Sequence, residues 1–382
     1  MEKDEVVVHL DAATALEPTL GGDEVRVEAV AVGVNYADVC VRMGLYASAA
    51  RYVGWPITPG RTRDAPKLIC SVDDCGEQFA GRVVAVGAEV TERKVGECVV
   101  GVTRFGAYSS HITVPQDQLF PIPSGFSFTQ MAGVPSVFLT AYYAMFELVH
   151  PHSWQTLLVH SAAGGVGSSL VQLGKKIAGC KVVGVVGSSH KVQTVYDLGA
   201  DHVIDKSKEN LWEKAREYSP EGYDAVFDAN GVETLKESYN HLSCGGKLVI
   251  YGFHTMLPKQ GGKPNWLKLA RDWLWTPSFD PLKMTEENKS VLAFNLSFMF
   301  DKKAILADMF RQLLAWLKEG RLVVPPITAF PIEQVADAHK LIESGKSVGS
   351  SLFLHKMFAG VHLADTIPKY PRQDCAHYTV LQ

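Results

Sequence analysis

The sequence predicts an α/β protein built from a mostly β first part and a parallel-sheet domain in the middle. Two observations predict this fold class. Short apolar segments, broken by glycine and proline, fill the chain to about residue 125. Further on, apolar strands alternate with helical stretches, which is typical of a parallel sheet with right-handed crossovers. A chain of 382 residues is long enough for two domains.

The elements follow in chain order. In the first part, alternation predicts strands over residues 25–34, 79–87, 96–102 and 107–114. A buried helix is expected over residues 134–149, and the parallel strands over 156–160, 181–186, 225–228 and 247–251. The end of the chain predicts a helix over 304–319 closed by Gly320, a strand over 322–330, a helix over 332–343 and a strand over 350–355.

Composition excludes several classes of protein. The formal net charge is only −4, which gives no electrostatic reason to expect nucleic acid as a partner. The acidic N-terminus has no apolar signal segment, and no apolar run is long enough to span a membrane. The seven cysteines are odd in number and scattered, so we expect reduced thiols and a cytoplasmic protein.

The most informative segment is the glycine turn, which we define as residues 161–167. It lies between an apolar strand and a helix that runs to about residue 177. This layout brings backbone N–H groups and a helix N-terminus close to the pyrophosphate of a dinucleotide. A purely structural turn is the alternative, and dinucleotide binding is the favoured interpretation. The residues expected to hold the cofactor here are Ala162, Gly164, Gly165, Val166 and Gly167.

The end of the second parallel strand bears on the choice of cofactor. An acidic residue there would bind the ribose of NAD. The segment 187–191 carries Ser188, Ser189 and Lys191 instead, and Lys206 follows the third strand. Hydroxyl and ammonium groups suit a 2′-phosphate, which favours NADP. The alternative is that both lysines are solvated surface residues.

The sequence predicts no metal site. A catalytic zinc needs about three Cys, His or carboxylate ligands, and a structural zinc needs about four. Cys70 and Cys75 form the one close cysteine pair, and no second pair completes them.

The segment 35–46 places polar and aromatic side chains directly after a strand. Asp38 is expected to cap a helix. Tyr46 has two interpretations: it packs in the core, or it donates a proton to a substrate oxygen beside a nicotinamide. From the residues alone, the core position is favoured.

With these residues in view, the chain resembles the zinc-independent medium-chain dehydrogenases/reductases, in the quinone oxidoreductase (zeta-crystallin) group, and most closely the vesicle amine transport protein subfamily. The resemblance extends over most of residues 25–355. It is carried by segments 35–38, 44–46, 58–60, 81–87, 139–142, 160–167, 199–205, 227–231, 248–252, 265–275 and 330–338.

The resemblance implies a Rossmann-type NADP-binding domain inserted into a mostly β GroES-like catalytic domain. The implied divisions are residues 1–130, 131–298 and 299–355, with a tail over 356–382. It also implies a homodimer, NADPH as cofactor, and reduction of a quinone or of a conjugated C=C bond. Tyr46 would be the proton donor or carbonyl anchor, and Asn35 would border the nicotinamide. Further cofactor contacts are implied for Asn230, Gly252, Phe253, Phe294 and Leu296.

The chain departs from the family pattern at three places. Residues 61–75 are inserted after Pro59-Gly60, either as a loop over the cleft or as translated unspliced message. Ser350 stands where a lysine is common, and residues 356–382 have no family counterpart.

Three functions remain open from the sequence. The first is an NADPH-dependent reductase of quinones or α,β-unsaturated carbonyl compounds, and the second is a tailoring enoyl reductase of polyketide or fatty-acid synthesis. The third is a non-catalytic NADPH-binding protein that associates with lipid through the tryptophans at 266, 273 and 275. For those tryptophans, a dimer contact or a core helix is the favoured alternative.

Overall fold

The computed structural model describes residues 19–52, 75–257 and 265–354. Most of the predicted insert (61–74) and the tail (356–382) lie outside the described residues.

The strands are β1 (Glu24–Val34), β2 (Gln78–Val86), β3 (Cys98–Val102), β4 (His111–Pro115), β5 (Leu119–Pro121), β6 (Thr156–Val159), β7 (Lys181–Val186), β8 (His202–Asp205), β9 (Tyr223–Asp228), β10 (Leu242–Ile250), β11 (Ser290–Ala293), β12 (Ile327–Pro331) and β13 (Ser350–Leu354). The α-helices are α1 (Tyr36–Arg42), α2 (Ala47–Tyr52), α3 (Phe128–Ala132), α4 (Pro135–Tyr142), α5 (Gly165–Gln172), α6 (Val192–Asp197), α7 (Leu211–Tyr218), α8 (Leu235–Asn240), α9 (Trp266–Trp275), α10 (Pro281–Glu287), α11 (Lys303–Lys318) and α12 (Val335–Glu343).

The first sheet combines the beginning and the end of the chain. Its order is β12-β13-β1-β2-β3-β5, and β4 pairs with one half of β1. Strand β1 is antiparallel to β2, β4 and β13, whereas β12 and β13 are parallel. Register shifts at Arg26/Val27 and Ala29/Ala31 mark bulges, which let the long strand bend between its partners.

The second sheet is parallel, with the order β8-β7-β6-β9-β10-β11. Its strands are apolar because both faces are covered; Leu157, Leu158, Val182 and Val183 are fully buried. The strand order reverses between β6 and β9, so a crevice forms beyond their carboxyl ends, where ligands bind in this topology. The predicted fold class, a Rossmann-type parallel sheet inserted in a mostly β domain, is confirmed.

The largest core cluster continues from one sheet to the other. Helix α4 starts with Pro135 at its first turn and is buried along most of its length, and a π-helix extends it to Val149. Phe120 of β5 meets Phe310 of α11 edge to face, with ring centroids 4.8 Å apart. Among the described residues, no helix is both long and apolar enough to cross a membrane.

Two predicted strands begin later than expected. The predicted strand 322–330 starts at Ile327, because Pro325 and Pro326 lack the N–H groups that a ladder requires. The predicted strand 107–114 starts at His111. The N–H groups of Ala107 and Tyr108 instead bond the carbonyls of Gly76 and Cys75.

Candidate functional site

The glycine turn leaves strand β6 at the topological switch point. Ser161 adopts a left-handed conformation (φ 52°), and its carbonyl accepts the N–H of Gly164 at 2.9 Å. Helix α5 then packs so closely that a Cβ on Gly167 would lie 2.2 Å from the Ser161 carbonyl oxygen. Glycine at this position therefore lets the helix N-terminus close over the turn.

The N-terminus of α5 fits a pyrophosphate. Gly164 is the N-cap and no described side chain caps it, so backbone N–H groups and the helix dipole are available to an anion. Across the switch point, the Ser161 hydroxyl donates to the Asn230 side-chain oxygen at 3.2 Å. Ala162 is fully buried against β7, and Val166 is half-buried, so these two contribute to the turn chiefly through backbone and packing.

The two lysines predicted to favour NADP lie in different environments. The buried Lys191 ammonium donates to the carbonyls of Gly345 and Ser347, at 2.6 and 2.8 Å. Burial lowers the pKa of Lys191. Lys206 is exposed, and its side chain passes Gly187, with Cε 3.7 Å from where a Cβ would stand. Of the two lysines, Lys206 is the one whose charge faces solvent beside the predicted ribose site.

The end of the second parallel strand has no acidic residue, but Asp205 of the neighbouring strand lies beside Ser189. The Ser189 hydroxyl donates to Asp205 Oδ2 at 2.5 Å, from the end of β8. Burial acts to raise the pKa of Asp205, but hydrogen bonds from Ser189 and Ser207 outweigh it and lower the pKa. The Ser189 hydroxyl hydrogen is therefore engaged by Asp205. Ser188 immediately precedes the 3₁₀ turn at residues 189–191.

The residues predicted along the nicotinamide face differ in exposure. Phe253 is 46% exposed and packs on Gly231, within 2.9 Å of where a Cβ would stand there. Gly252 approaches the carbonyl of Ala229. Phe294 is half-buried beside Tyr143 at a centroid distance of 4.9 Å, and Leu296 is buried in the core.

Tyr46 lies between the two domains. Its hydroxyl donates to Asn295 Oδ1 at 3.1 Å. Ser297 Oγ lies 2.6 Å from the same Asn295 oxygen and 2.7 Å from Ser48 Oγ. Burial raises the pKa of Tyr46 far above its ordinary value, so the phenol keeps its proton. The Tyr46 ring thus packs against the apolar core of the first domain, while its hydroxyl joins a polar cluster with Ser48, Asn295 and Ser297.

Asn35 stands at the start of α1. Its side-chain oxygen accepts from Gln78 Nε2 at 3.3 Å, whereas its buried Nδ2 has no hydrogen-bond partner among the described residues. The predicted cap is confirmed, because Asp38 Oδ2 accepts the Asn35 N–H at 2.7 Å. An unpartnered buried amide donor is costly unless a ligand accepts from it.

Glu77 is a site residue that the sequence reasoning missed. It is 7% exposed, and Ser136 Oγ donates to its Oε2 at 2.9 Å. Burial and the nearby Asp38 carboxyl group raise the pKa of Glu77 to about 8, and hydrogen bonding from Ser136 and Tyr46 limits the rise. Glu77 stands directly after the inserted segment, where the family pattern resumes. Its sequence position gave no sign that its carboxyl group is buried.

Asp38, Tyr108 and His339 form a second buried polar network. Tyr108 donates to Asp38 Oδ2 at 3.1 Å, and its oxygen is 3.1 Å from Nε2 of His339 on α12. Burial lowers the pKa of His339 to about 3, so the ring is neutral. This network joins α1 to the last helix and has a structural role. Among the described residues, no cluster of three or more His, Cys, Asp or Glu could hold a metal ion.

Comparison with known proteins agrees with this architecture. The alcohol dehydrogenase GroES-like domain family matches residues 21–124, and the zinc-binding dehydrogenase family matches residues 198–351. The human synaptic vesicle membrane protein VAT-1 homolog is 31% identical over 347 residues, which cover 91% of this chain and 83% of that protein.

Solved structures agree as well. Escherichia coli quinone oxidoreductase complexed with NADPH is 26% identical, with a TM-score of 0.71 over 89% of this chain and 94% of that one. The CurK enoyl reductase shares the fold at 24% identity, with a TM-score of 0.73 over 89% of this chain and 93% of that one.

The fold and the site define an oxidoreductase class with an NAD(P)-binding Rossmann-type domain. The chain belongs to the zinc-independent medium-chain dehydrogenases/reductases, in the quinone oxidoreductase group near the VAT-1 proteins.

Proposed function

We propose that the chain is an NADPH-dependent reductase that transfers hydride to a quinone or to the C=C bond of an α,β-unsaturated carbonyl compound, without zinc. The observation that carries the proposal is the pairing of a protonated phenol, Tyr46, with an unpartnered buried amide donor, Asn35. Gln78 of β2 holds the Asn35 side-chain oxygen, which leaves the Nδ2 group as the available donor.

The roles of these residues follow from their chemistry. Bound at the glycine turn, NADPH would supply the hydride. Tyr46 donates a hydrogen bond to the substrate carbonyl oxygen and then a proton as negative charge develops there. Asn35 offers its free Nδ2 to an acceptor on the cofactor or the substrate. Burial around Tyr46 keeps water out and strengthens both interactions.

Lys206 supports NADPH over NADH. It is an exposed cation directly after β8. A 2′-phosphate beside Ser188 would gain a charge-assisted hydrogen bond from it. Lys191 supports the site indirectly, by tying the loop at 345–347 to the Rossmann-type domain.

The test is NADPH oxidation, followed by absorbance, with a panel of quinones, enones and enoyl thioesters. Turnover of quinones or free enones supports the proposal. Turnover confined to enoyl groups on a carrier protein would make the chain a tailoring enoyl reductase. Tight NADPH binding without turnover of any member would overturn the enzymatic proposal.

A second candidate is a lipid-associated role. The Trp-rich face, which we define as Trp266, Leu267, Trp273, Leu274 and Trp275 of α9, is 65–85% exposed. The core-helix interpretation is therefore wrong. Asp272 of α9 is buried and accepts hydrogen bonds from Lys268 and Arg271 of the same helix, and Lys268 also donates to the Thr255 carbonyl. Exposed tryptophans on an amphipathic helix suit a lipid interface, and the names of the VAT-1 relatives point the same way.

Vesicle flotation tests that role. Trp273→Ala should lower recovery with anionic vesicles, whereas Trp154→Ala, an equally exposed tryptophan at another site, should not. Equal flotation of both variants and the wild type would leave α9 with a packing role only.

We also propose a cytoplasmic homodimer. Among the described strands, β11 is an edge of the second sheet, and Ser290 and Ala293 on it are exposed, so this edge suits pairing with a second copy. Light scattering during size-exclusion chromatography should give twice the chain mass of 41.8 kDa. A mass of one chain across the working concentration range would contradict it.

A further inference from the structure

Ser297 carries a buried hydroxyl group that the hydride-transfer scheme above does not use. It lies in the 3₁₀ helix Leu296–Asp301, shortly after β11, and is 1% exposed. Its single hydroxyl hydrogen has three oxygen atoms within reach: Asn295 Oδ1 at 2.6 Å, Ser48 Oγ at 2.7 Å and the Tyr46 hydroxyl oxygen at 3.5 Å. A serine hydroxyl rotates about its C–O bond, so this hydrogen can be redirected from one acceptor to another.

Asn295 is the present acceptor of the Tyr46 hydroxyl. It caps the 3₁₀ helix with its side-chain oxygen, which has three donors within hydrogen-bond distance: the Tyr46 hydroxyl at 3.1 Å, the Ser297 N–H at 3.0 Å and the Ser297 hydroxyl. A carbonyl oxygen has only two lone pairs. When a substrate oxygen takes over the Tyr46 hydroxyl, the Ser297 N–H remains on Asn295. The Ser297 hydroxyl can therefore turn away without leaving this acceptor unsatisfied.

Ser48 supports that rotation from the other domain. It is fully buried in α2, and its Oγ lies 2.7 Å from Ser297 Oγ. Because both groups are hydroxyls, either one can be the donor of this hydrogen bond. When Ser297 turns its hydrogen toward Tyr46, the Ser48 hydroxyl can donate to Ser297 Oγ. The three hydroxyl groups then form a hydrogen-bonded chain that ends on the Tyr46 oxygen.

We propose that Ser297 is a positioning residue that stabilises the Tyr46 oxygen during the reaction: as Tyr46 gives its proton to the substrate, the Ser297 hydroxyl donates a hydrogen bond to the oxygen left behind. This inference rests on the proposed reductase function. Ser297 acts through Tyr46 and keeps its own proton. The present separation of 3.5 Å is long, and catalytic hydrogen bonds commonly shorten when the substrate complex forms.

The proton step balances for an enone. Hydride forms the new C–H bond at the β-carbon, and the conjugated π electrons shift so that one pair moves onto the carbonyl oxygen, which takes the Tyr46 proton. The electron pair of the broken O–H bond stays on the Tyr46 oxygen as a negative charge, and the Ser297 hydroxyl donates to it. Water returns a proton to Tyr46 when the product leaves, and the enol tautomerises to the saturated ketone.

The negative charge explains why this hydrogen bond favours the transition state. Burial and the nearby Glu77 raise the pKa of Tyr46 far above its ordinary value, whereas the hydrogen bond with Ser297 lowers it. A hydrogen bond to an ionised oxygen is about twice as strong as one between neutral groups. The interaction with Ser297 therefore strengthens as the Tyr46 proton leaves, which is the condition for raising kcat.

Steady-state kinetics test the proposal. Ser297→Ala keeps the N–H that Asn295 accepts and removes only the hydroxyl, so it should lower kcat about ten- to 100-fold with an unchanged Kd for NADPH. Ser48→Ala should give a smaller loss in the same direction, because Ser297 then lacks its donor. The matched control is Ser243→Ala, which removes a hydroxyl that donates to the Tyr223 carbonyl at 3.2 Å and should keep the wild-type kcat.

A double-mutant cycle shows whether Ser297 acts through Tyr46. In Tyr46→Phe there is no phenol oxygen to stabilise, so Ser297→Ala should add no further loss of kcat to it. A wild-type kcat in Ser297→Ala, or losses that multiply in the double variant, would overturn the proposal.

A spectroscopic titration tests the hydrogen bond without cofactor or substrate. Replacement of Tyr46 by 3,5-difluorotyrosine gives a more acidic phenol, whose ionisation is seen by absorbance while the other tyrosines stay neutral. In Ser297→Ala the titration midpoint of this phenol should lie about 1 pH unit higher, because its ionised form has lost a donor, and in Ser243→Ala it should not move.

The two measurements separate the inference from the function on which it rests. An identical midpoint with and without the Ser297 hydroxyl would show that Ser297 does not stabilise the Tyr46 oxygen, whatever the kinetics of the wild type. A raised midpoint in a protein that turns over no quinone, enone or enoyl thioester would instead reject the reductase function, and with it the catalytic role of Ser297.

Discussion

The Tyr46 hydroxyl and the Asn295 amide oxygen, 3.1 Å apart, join the two parts of the molecule. Tyr46 follows α1 in the first domain, and Asn295 follows β11, the edge strand of the parallel sheet. A second bond does the same, since the Tyr36 hydroxyl donates to the carbonyl of His254 at 3.0 Å. The polar cluster of Tyr46, Ser48, Asn295 and Ser297 is therefore assembled from both domains, and neither domain carries it alone.

Removing the Tyr46 hydroxyl should damage chemistry more than binding. Tyr46→Phe keeps the ring, which meets Phe105 edge-on at a centroid distance of 6.4 Å. We expect kcat to fall by about 10²–10⁴-fold with an unchanged Kd for NADPH, because a positioned proton donor is lost. Steady-state kinetics and cofactor fluorescence measure the two effects. An unchanged kcat would exclude Tyr46 as the donor, and Tyr196→Phe, on the surface of α6, serves as the control.

The glycine turn should tolerate a methyl group at one position and not at another. Gly167→Ala would force a Cβ to within 2.2 Å of the Ser161 carbonyl oxygen, whereas at Gly164 the nearest atom is 3.3 Å away. We expect Gly167→Ala to lower the free energy of unfolding by about 1–3 kcal/mol and to abolish NADPH binding. Gly164→Ala should fold with nearly wild-type stability. Equal melting temperatures for the two variants would contradict the close approach of α5.

Substitution of Lys206 and substitution of Lys191 should have different effects on cofactor binding. Lys206→Ala should raise the Kd of NADPH by about tenfold or more and leave that of NADH unchanged, because a charge-assisted hydrogen bond is worth about 1.5–3 kcal/mol. Lys191→Ala leaves the carbonyls of Gly345 and Ser347 without their donor, so it should reduce stability and weaken both cofactors alike. Titrations with both cofactors decide this. Loss of NADPH selectivity in Lys191→Ala alone would reverse the assignment.

Tyr108→Phe should make stability more sensitive to pH. Burial raises the pKa of Asp38 to about 6 in the folded protein, so the stability linked to its proton is complete below about pH 4 and is lost as pH rises through 6. The Tyr108 hydrogen bond lowers this pKa, so its removal moves the loss to higher pH. We expect a further cost of about 1–2 kcal/mol.

Urea unfolding between pH 4 and 8 measures this effect. Tyr223→Phe is the matched control, since its buried hydroxyl donates to the Ala215 carbonyl at 2.7 Å, away from any acid. It should lose stability by the same amount at every pH. A parallel pH dependence of the two variants would show that Asp38 is not the responsible group.

Local patterns were sufficient to predict the strands and helices of the parallel sheet, whereas its insertion into the first domain was implied by the family resemblance. Strand β7 occupies Lys181–Val186 as expected, because a buried parallel strand is a continuous apolar run whose ends are set by polar residues. The glycine turn was equally predictable, since its conformation depends on residues adjacent in sequence. By contrast, Asp205 meets Ser189 only because β8 lies beside β7, and the alternation of elements does not specify which strand ends are neighbours.

The contacts around Tyr46 could not be predicted from local sequence patterns either. Asn295 and Glu77 lie 249 and 31 positions away from it along the chain, and their burial depends on how two domains close. A sequence shows that Glu77 is acidic. It does not show that burial and the nearby Asp38 carboxyl group raise the pKa of Glu77 to about 8.

The position of β13 makes the first sheet depend on both ends of the described chain. This last described strand pairs with both β12 and β1, so residues 31–34 of β1 have no neighbour on that side until residues 350–354 have been synthesised. The strands of the parallel sheet, β6 to β11, follow one another along the chain, so this sheet does not depend on β13. The nucleotide-binding half can therefore form first, and the half that carries Tyr46 is the one exposed to chaperones and aggregation while translation finishes.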